Sequence, residues 1–251
     1  MLTRTQIQRI AQRNQIGAQA QERDYIQNIL LYLLYGHSHA LIFKGGTALR
    51  MIYRGNRYSE DLDFNGPGDV QMAQSSWVKI VQDCELFGIQ AEIRNPWQSG
   101  SGYSFDFSYQ GPLYDGRDRS KGKVRIDTSL RQENVATQVE LVKPEYDDLR
   151  PFTITALTPE ELLAEKIRAL LIRGKPRDVY DIWLLNQHGV HANQELVETK
   201  LRGYNVTFNE PSVQAALEKA RQNWERDLRP LLPQLISWEV VTAQIGISPH
   251  P

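Results

Sequence analysis

Ser59-Glu60-Asp61-Leu62-Asp63-Phe64 is the stretch from which the fold of this chain is read. In an extended strand, residues two apart project to the same side. Asp61 and Asp63 therefore present two carboxylates on one face, and Leu62 and Phe64 are left for a core. Carboxylates that close repel each other unless a cation or a proton sits between them. Mg²⁺ suits the position, because it takes oxygen ligands and accepts substrate phosphates in its shell. Taken alone, an Asp-x-Asp is more often a solvated acidic turn, so the neighbouring segments have to decide.

Upstream, residues 40–43 form a short apolar run that reads as a strand. Lys44-Gly45-Gly46-Thr47 interrupts it, and residues 47–53 then read as a helix start. Two glycines let the backbone approach a ligand closely, Thr47 offers a hydroxyl, and the free amides of a starting helix favour a phosphate. No Gly-Lys-Ser/Thr follows at the needed spacing, so this is not a Walker A loop. By itself a Gly-Gly turn is commonplace. Downstream, Lys123-Val124-Arg125-Ile126-Asp127-Thr128 reads as a strand with one acid, Asp127. That acid either completes a carboxylate triad or guards a sheet edge against aggregation. The order of the three segments is more specific than any of them. A phosphate cradle, a carboxylate pair and a third acid are what phosphoryl transfer assisted by two metal ions requires.

Around these segments the pattern is α+β. Residues 5–35 are helical in period, with Gly17 dividing them and the second helix spanning 24–34. A loop at 66–68 and an amphipathic helix at 74–87 follow. Strands are expected at 89–93, 104–109, 123–130 and 137–141, with Phe105, Phe107 and Tyr109 on one face. Residues 114–122 read as a hairpin-like turn. Thr158-Pro159-Glu160-Glu161 is a helix start, with Thr158 as cap, Pro159 at the first helical position and Glu161 closing a capping box. From there to the end the chain reads as helices. The change near 151–158 divides it into a mixed domain over 1–150 and a helical domain over 151–251.

The composition is that of a globular protein: 41% hydrophobic, 24% charged, with a formal net charge of -1. A nucleic-acid partner must be held by a local basic patch, since the field of the whole molecule does not favour it. Such a patch could form at the amino end, where Arg4, Arg9 and Arg13 precede the first acid, Glu22; a run like this is usually a solvated face. The single cysteine, Cys84, excludes an intrachain disulfide framework and a Cys-based zinc site, and reads as a buried small hydrophobe. No apolar run reaches the roughly 18–20 residues of a membrane span, and the start lacks the apolar centre of a signal peptide. Cytoplasmic location is the expectation. His37, His39, His188, His191 and His250 are scattered. His37-x-His39 could pair on a metal but has no third partner in view. Trp77, Trp97, Trp183, Trp224 and Trp238 read mostly as packing residues.

In the second half, Lys166, Leu170 and Arg173 share one helical stripe, and Arg177 and Asp181 stand at i, i+4. An exposed pair of that kind contributes only about 0.3–0.5 kcal/mol. Arg168, Arg173, Lys175 and Arg177 could receive an RNA backbone or simply balance the carboxylates.

Four segments together, Lys44-Gly45-Gly46-Thr47-Ala48-Leu49, Ser59-Glu60-Asp61-Leu62-Asp63-Phe64, Glu165-Lys166-Ile167-Arg168-Ala169-Leu170 and Arg177-Asp178-Val179-Tyr180-Asp181-Ile182-Trp183, resemble the motifs of the AbiEii/AbiGii toxin family. The resemblance covers residues 24–185. It implies a DNA polymerase β-like nucleotidyltransferase core, a small mixed sheet flanked by helices, followed by a helical region that completes the nucleotide site. It implies the toxic half of a type IV toxin–antitoxin or abortive-infection system acting in phage defence. By the same resemblance Gly45, Gly46 and Thr47, with Lys44 and Ser59 beside them, hold the nucleoside triphosphate. Asp61, Asp63 and Asp127 hold Mg²⁺, with Mn²⁺ as a substitute, and Lys166 contacts the phosphates. Asp181 is the late functional aspartate, with Asp178 and Arg173 at the nucleotide. The implied reaction moves a nucleoside monophosphate from an NTP to a hydroxyl acceptor such as the 3′ end of tRNA. A protein-AMP-transferring enzyme and a non-catalytic nucleotide-binding module are the alternatives. A cognate antitoxin protein is the implied partner.

Overall fold

The computed structural model describes residues 1–131 and 133–247. Contacts within the chain divide it into two units, Met1–Ala156 and a second that begins at Leu157.

The first unit is built on a mixed sheet. Its strands are β1 (Ile42–Lys44), β2 (Asp61–Asn65), β3 (Gln90–Ser99), β4 (Gly102–Gln110), β5 (Gly122–Ser129), β6 (Thr137–Val142) and β7 (Phe152–Leu157), in the order β3-β4-β5-β2-β1-β7-β6. β1 runs antiparallel to β2 and parallel to β7, and β2 runs parallel to β5. The β3–β4 and β4–β5 pairs are antiparallel. The α-helices among the described residues of this unit are α1 (Arg4–Arg13), α2 (Ala18–His37), α3 (Gly45–Ile52) and α4 (Val70–Asp83).

The alternation in β2 works as the sequence indicates. Leu62 and Phe64 are fully buried, while Asp61 and Asp63 are half-buried on the opposite face. Phe64 meets Phe43 at 5.5 Å and Trp77 at 5.7 Å between ring centroids, and Trp77 meets Phe105 at 5.5 Å. These edge and tilted contacts add to area burial and lock the acidic strand between its neighbours. Cys84 is buried, and burial pushes its thiol up to about 12.

Several expectations shift. The second amino-terminal helix starts at Ala18, with Gly17 as its N-cap, and runs to His37. It is buried on nearly every side, and polar residues are paired within it. Gln21 Nε2 donates to Tyr146 Oη at 2.7 Å, and Glu22 accepts the Leu113 amide at 2.5 Å. Arg4 and Arg13 of the basic amino end are committed to the Leu113 carbonyl and to Glu145. The helix at α4 begins four residues earlier than the sequence suggests and ends in a 3-10 turn, Cys84–Phe87. β7 lies where only a transition toward helix was expected. Trp97 is not a packing residue: it is 57% exposed.

The second unit holds α5 (Pro159–Arg173), α6 (Pro176–Gln187), α7 (Gln194–Leu201), α8 (Glu210–Arg221), α9 (Trp224–Leu228) and α10 (Trp238–Gln244). The Thr158 hydroxyl accepts the Glu161 amide, while the Glu161 carboxylate pairs with Lys200 at 2.8 Å. The reciprocal capping box forms at α1 instead, between Thr3 and Gln6. His37 contacts Asp83, and His39 contacts Thr155 at 3.0 Å, so the two histidines go to different partners. His250 lies outside the described residues.

Candidate active site

Strand register puts the expected acids on one face. Asp63 pairs with Lys44 on one side and with Asp127 on the other. Paired residues in adjacent strands share a face about 4.8 Å apart, so Lys44, Asp63 and Asp127 form a row. Asp61 lies in the next row, beside Arg125 and then Asp106.

The glycine turn closes over this face. Gly45 and Gly46 are the first two residues of α3, and Lys44 is its N-cap. Gly45 has φ 81°, and a Cβ there would collide with Asp63 Oδ2. Only glycine lets the helix start sit directly on that carboxylate. At Gly46 a Cβ would collide with Arg57 Nη2 and lie 3.0 Å from Ser59 Oγ. The first-turn amides of a helix have no intrahelical acceptors, and α3 has no acidic residue in its first turn. An anion placed there gains from both the amides and the helix dipole.

Buried polar contacts fix the acidic strand. Thr47 is fully buried, and its hydroxyl donates to the Asp61 carbonyl at 2.6 Å. Gln27 of α2, also fully buried, donates to the Ser59 carbonyl at 3.2 Å and the Asp61 carbonyl at 3.4 Å. Behind them Arg50 of α3 pairs with Asp24 of α2, and Tyr146 donates to Asp24 at 2.6 Å. The glycine turn is therefore held by a buried charge network as well as by packing.

Further along the face, Arg125 bridges two acids, reaching Asp106 at 3.3 Å and Asp127 at 3.5 Å. A hydrogen bond from Asn95, with Arg125 and Lys123 close by, holds the Asp106 carboxyl below the usual carboxylate range. Asp61, Asp63 and Asp127 offer the hard oxygen donors that a divalent cation of the Mg²⁺ type takes. The donor type, the shared face and the adjoining anion cradle fit such an ion. Among the described residues, no three His, Cys, Asp or Glu side chains converge as a preformed metal-holding group.

The second unit contains its own charge pairs. Lys166 Nζ of α5 meets Asp181 Oδ2 of α6 at 2.7 Å, with the lysine side chain 10% and the aspartate 1% exposed. Arg173 grips Asp178 with two bonds of 2.7 Å each, Nε to Oδ2 and Nη2 to Oδ1. A fork of this kind is among the stronger side-chain interactions.

The model of the nucleotidyl transferase AbiEii toxin family, type IV toxin–antitoxin system, matches residues 29–244. This chain belongs to the AbiEii family. It is thus a nucleotidyltransferase toxin, and such a toxin works with an antitoxin. No curated protein matches the chain. Among solved structures, MenT4, a nucleotidyltransferase toxin from Mycobacterium tuberculosis, is similar at TM-score 0.68 and 19% identity, over 96% of this chain and 87% of that one. JHP933 from Helicobacter pylori is similar at TM-score 0.62 and 17% identity, over 92% and 90%. A further Helicobacter pylori structure is similar at TM-score 0.56 and 19% identity, over 92% and 93%. At these identities the three structures show a shared fold. No helix of the described residues is long and apolar enough to cross a membrane.

Within the AbiEii-type first unit, the structure brings together Lys44, Gly45, Gly46, Ser59, Asp61, Asp63 and Asp127. Thr47 belongs to the same cluster but does not present its hydroxyl outward; that hydroxyl is spent on the Asp61 backbone. In the second unit Asp181 pairs with Lys166, a partner the sequence did not offer. Asp178 is fully buried with both oxygens on Arg173, so it orients the arginine. Sequence reasoning missed Gln27 and Arg57, the latter buried against Gly46. Only a helix buried all round, as α2 is, could have flagged Gln27.

The Thr47 contact gives a testable expectation. Thr47→Val keeps the shape and leaves the Asp61 carbonyl short of a donor, at a cost of about 1–3 kcal/mol in stability. Thr47→Ser restores the donor. Denaturant melts should rank wild type and Thr47→Ser above Thr47→Val, and transfer activity should follow the same order.

Proposed function

We propose that this AbiEii-family enzyme transfers a nucleoside monophosphate from an NTP to the 3′ hydroxyl of an RNA, with tRNA ends as the foremost candidates, in the cytoplasm and in the service of phage defence. The observation that carries this reading is the Asp63 carboxylate lying against Gly45 at the start of α3, with Asp61 and Asp127 on the same face. An anion cradle and a carboxylate pair in contact suit a triphosphate, whose charge needs both amide donors and a counter-ion.

In the proposed reaction the acceptor oxygen forms a bond to the α-phosphorus. The bond from that phosphorus to the bridging oxygen of the β-phosphate breaks, and pyrophosphate leaves. Asp61 and Asp63, with Asp127, would hold Mg²⁺, for which Mn²⁺ can substitute; the ion supplies charge neutralisation on the phosphates when bound. Gly45 and Gly46 position the phosphates by their amides, and alignment of this kind supplies much of the rate. Lys44, in the row with Asp63, adds positive charge beside the turn. Asp127, 46% exposed at its side chain, accepts the proton of the acceptor hydroxyl. The family resemblance assigns Lys166 and Arg173 to the nucleotide; within the second unit Asp181 holds the Lys166 ammonium and Asp178 holds the Arg173 guanidinium.

The test is incubation of the purified protein with each of four α-labelled NTPs and total RNA, in Mg²⁺ and in Mn²⁺. Label on RNA is the expected result. Label on protein alone would move the reading to a protein-AMP-transferring enzyme. No label with any nucleotide in either metal would leave a binding module.

A further inference from the structure

Arg94 and Trp97 of β3 lie on one face of the sheet although they are three residues apart: Arg94 pairs with Asp106 and Trp97 with Ser104. In a regular strand an odd offset puts two side chains on opposite faces. The register shift between Arg94 and Trp97 supplies the extra residue. Asn95 adopts φ 48° within it, and its side chain donates to Asp106 Oδ2 at 3.0 Å. Pro96 lacks an amide donor, which a bulge on an edge strand such as β3 tolerates. The bulge turns Trp97 away from the core face and onto the face that carries the carboxylates.

There Trp97 ends a row that crosses the sheet. It pairs with Ser104, Ser104 with Asp127, and Asp127 with Asp63. Two strand spacings, about 10 Å, separate it from Asp127. Its ring stands over Gly102, where an added Cβ would lie 3.8 Å from Cζ3. The indole is 57% exposed, whereas Trp77 on the core face is fully buried. Arg94, Lys123 and Arg125 share the site face, and the Lys123 side chain is 62% exposed. An exposed indole close to the carboxylate row, on a face that also carries Arg94, Lys123 and Arg125 in ion pairs with Glu92, Asp106 and Asp127, has the chemistry of a base-stacking platform.

We propose that Trp97 stacks on a nucleobase of the nucleic-acid strand whose end is presented to Asp127. The proposal rests on the nucleotidyl-transfer reading of the carboxylate face. Stacking of this kind is tolerant of sequence, because every base has a π-face. The other source of a nucleobase is the incoming NTP, and the two are separable by experiment.

Binding is measured on the full chain in metal-free buffer, so that no turnover intervenes. One arm follows the anisotropy of a fluorescein-labelled 12-nucleotide oligoadenylate; the other titrates ATP calorimetrically. Trp97→Ala should weaken oligoadenylate binding about ten- to a hundredfold, and Trp97→Phe, which keeps an aromatic face, should retain most of the affinity. Loss confined to the ATP arm would overturn the assignment to the nucleic-acid strand and place the stacked base on the incoming nucleotide. Unchanged binding in both arms, equal loss in Ala and Phe variants, or failure of the wild type to bind either probe would overturn the proposal. The side chain is exposed, so thermal midpoints should match and confirm intact folding. The outcome is separable from catalysis: a wild-type protein that transfers no label from any NTP would remove the nucleotidyl-transfer reading, while the measured affinities of the wild type and the Trp97 variants would stand as they are.

Discussion

Asp63→Asn should lower nucleotidyl transfer by about a thousandfold or more while the protein stays folded. The substitution keeps size and hydrogen-bonding capacity and removes one negative charge. That charge lies against the phosphate cradle, beside Gly45 and in the row with Asp127. Stabilisation of developing phosphate charge by a bound metal is worth several kcal/mol, and each 1.36 kcal/mol lost from the transition state is a factor of about ten in rate. Asp61→Asn follows the same logic from the adjoining row. Initial rates with labelled NTP, read beside a denaturant melt, check the prediction. A loss below about tenfold in a folded Asp63→Asn protein would remove the carboxylate from the chemistry.

The second large effect concerns Lys166 and Asp181. Their ion pair is almost wholly buried. Asp181→Ala leaves an ammonium in a low-dielectric site without that counter-ion, and breaking a buried pair from one side costs about 3–5 kcal/mol. Replacing both partners by apolar residues of similar volume is often close to neutral. The double variant Lys166→Met/Asp181→Leu should therefore regain at least half of the stability lost by Asp181→Ala. It should not regain activity, since Lys166 is assigned to the nucleotide phosphates. A double variant that is stable and fully active would make the pair a packing device.

These residues differ in how openly the sequence announces them. Asp61 and Asp63 are legible because period-two alternation with Leu62 and Phe64 is a local property, and both faces of β2 obey it. The helices after Thr158 are legible for a similar reason: cap, proline and acidic first turn all fall within four residues. β7 was not legible. Phe152–Leu157 is short, abuts a strong helix start, and pairs with β1 more than a hundred residues away. Thr47 shows how a side chain's role depends on its acceptor: its hydroxyl reads as a ligand contact until the Asp61 carbonyl, fourteen residues on, takes it. Gln27 carries no local signal in the sequence, and only the burial of α2 on nearly all sides gives it a structural task. Trp97 departs from its expected packing role because one extra residue in β3 reverses the face. Local periodicity thus carries the acids, and non-local pairing decides which polar groups serve them.

A crystal structure of the protein with Mn²⁺ and a non-hydrolysable NTP tests the central claim most directly. Anomalous density between Asp61 and Asp63, with the triphosphate against the Gly45–Gly46 amides, is the predicted result. Metal density elsewhere, or a triphosphate bound away from the start of α3, would contradict it.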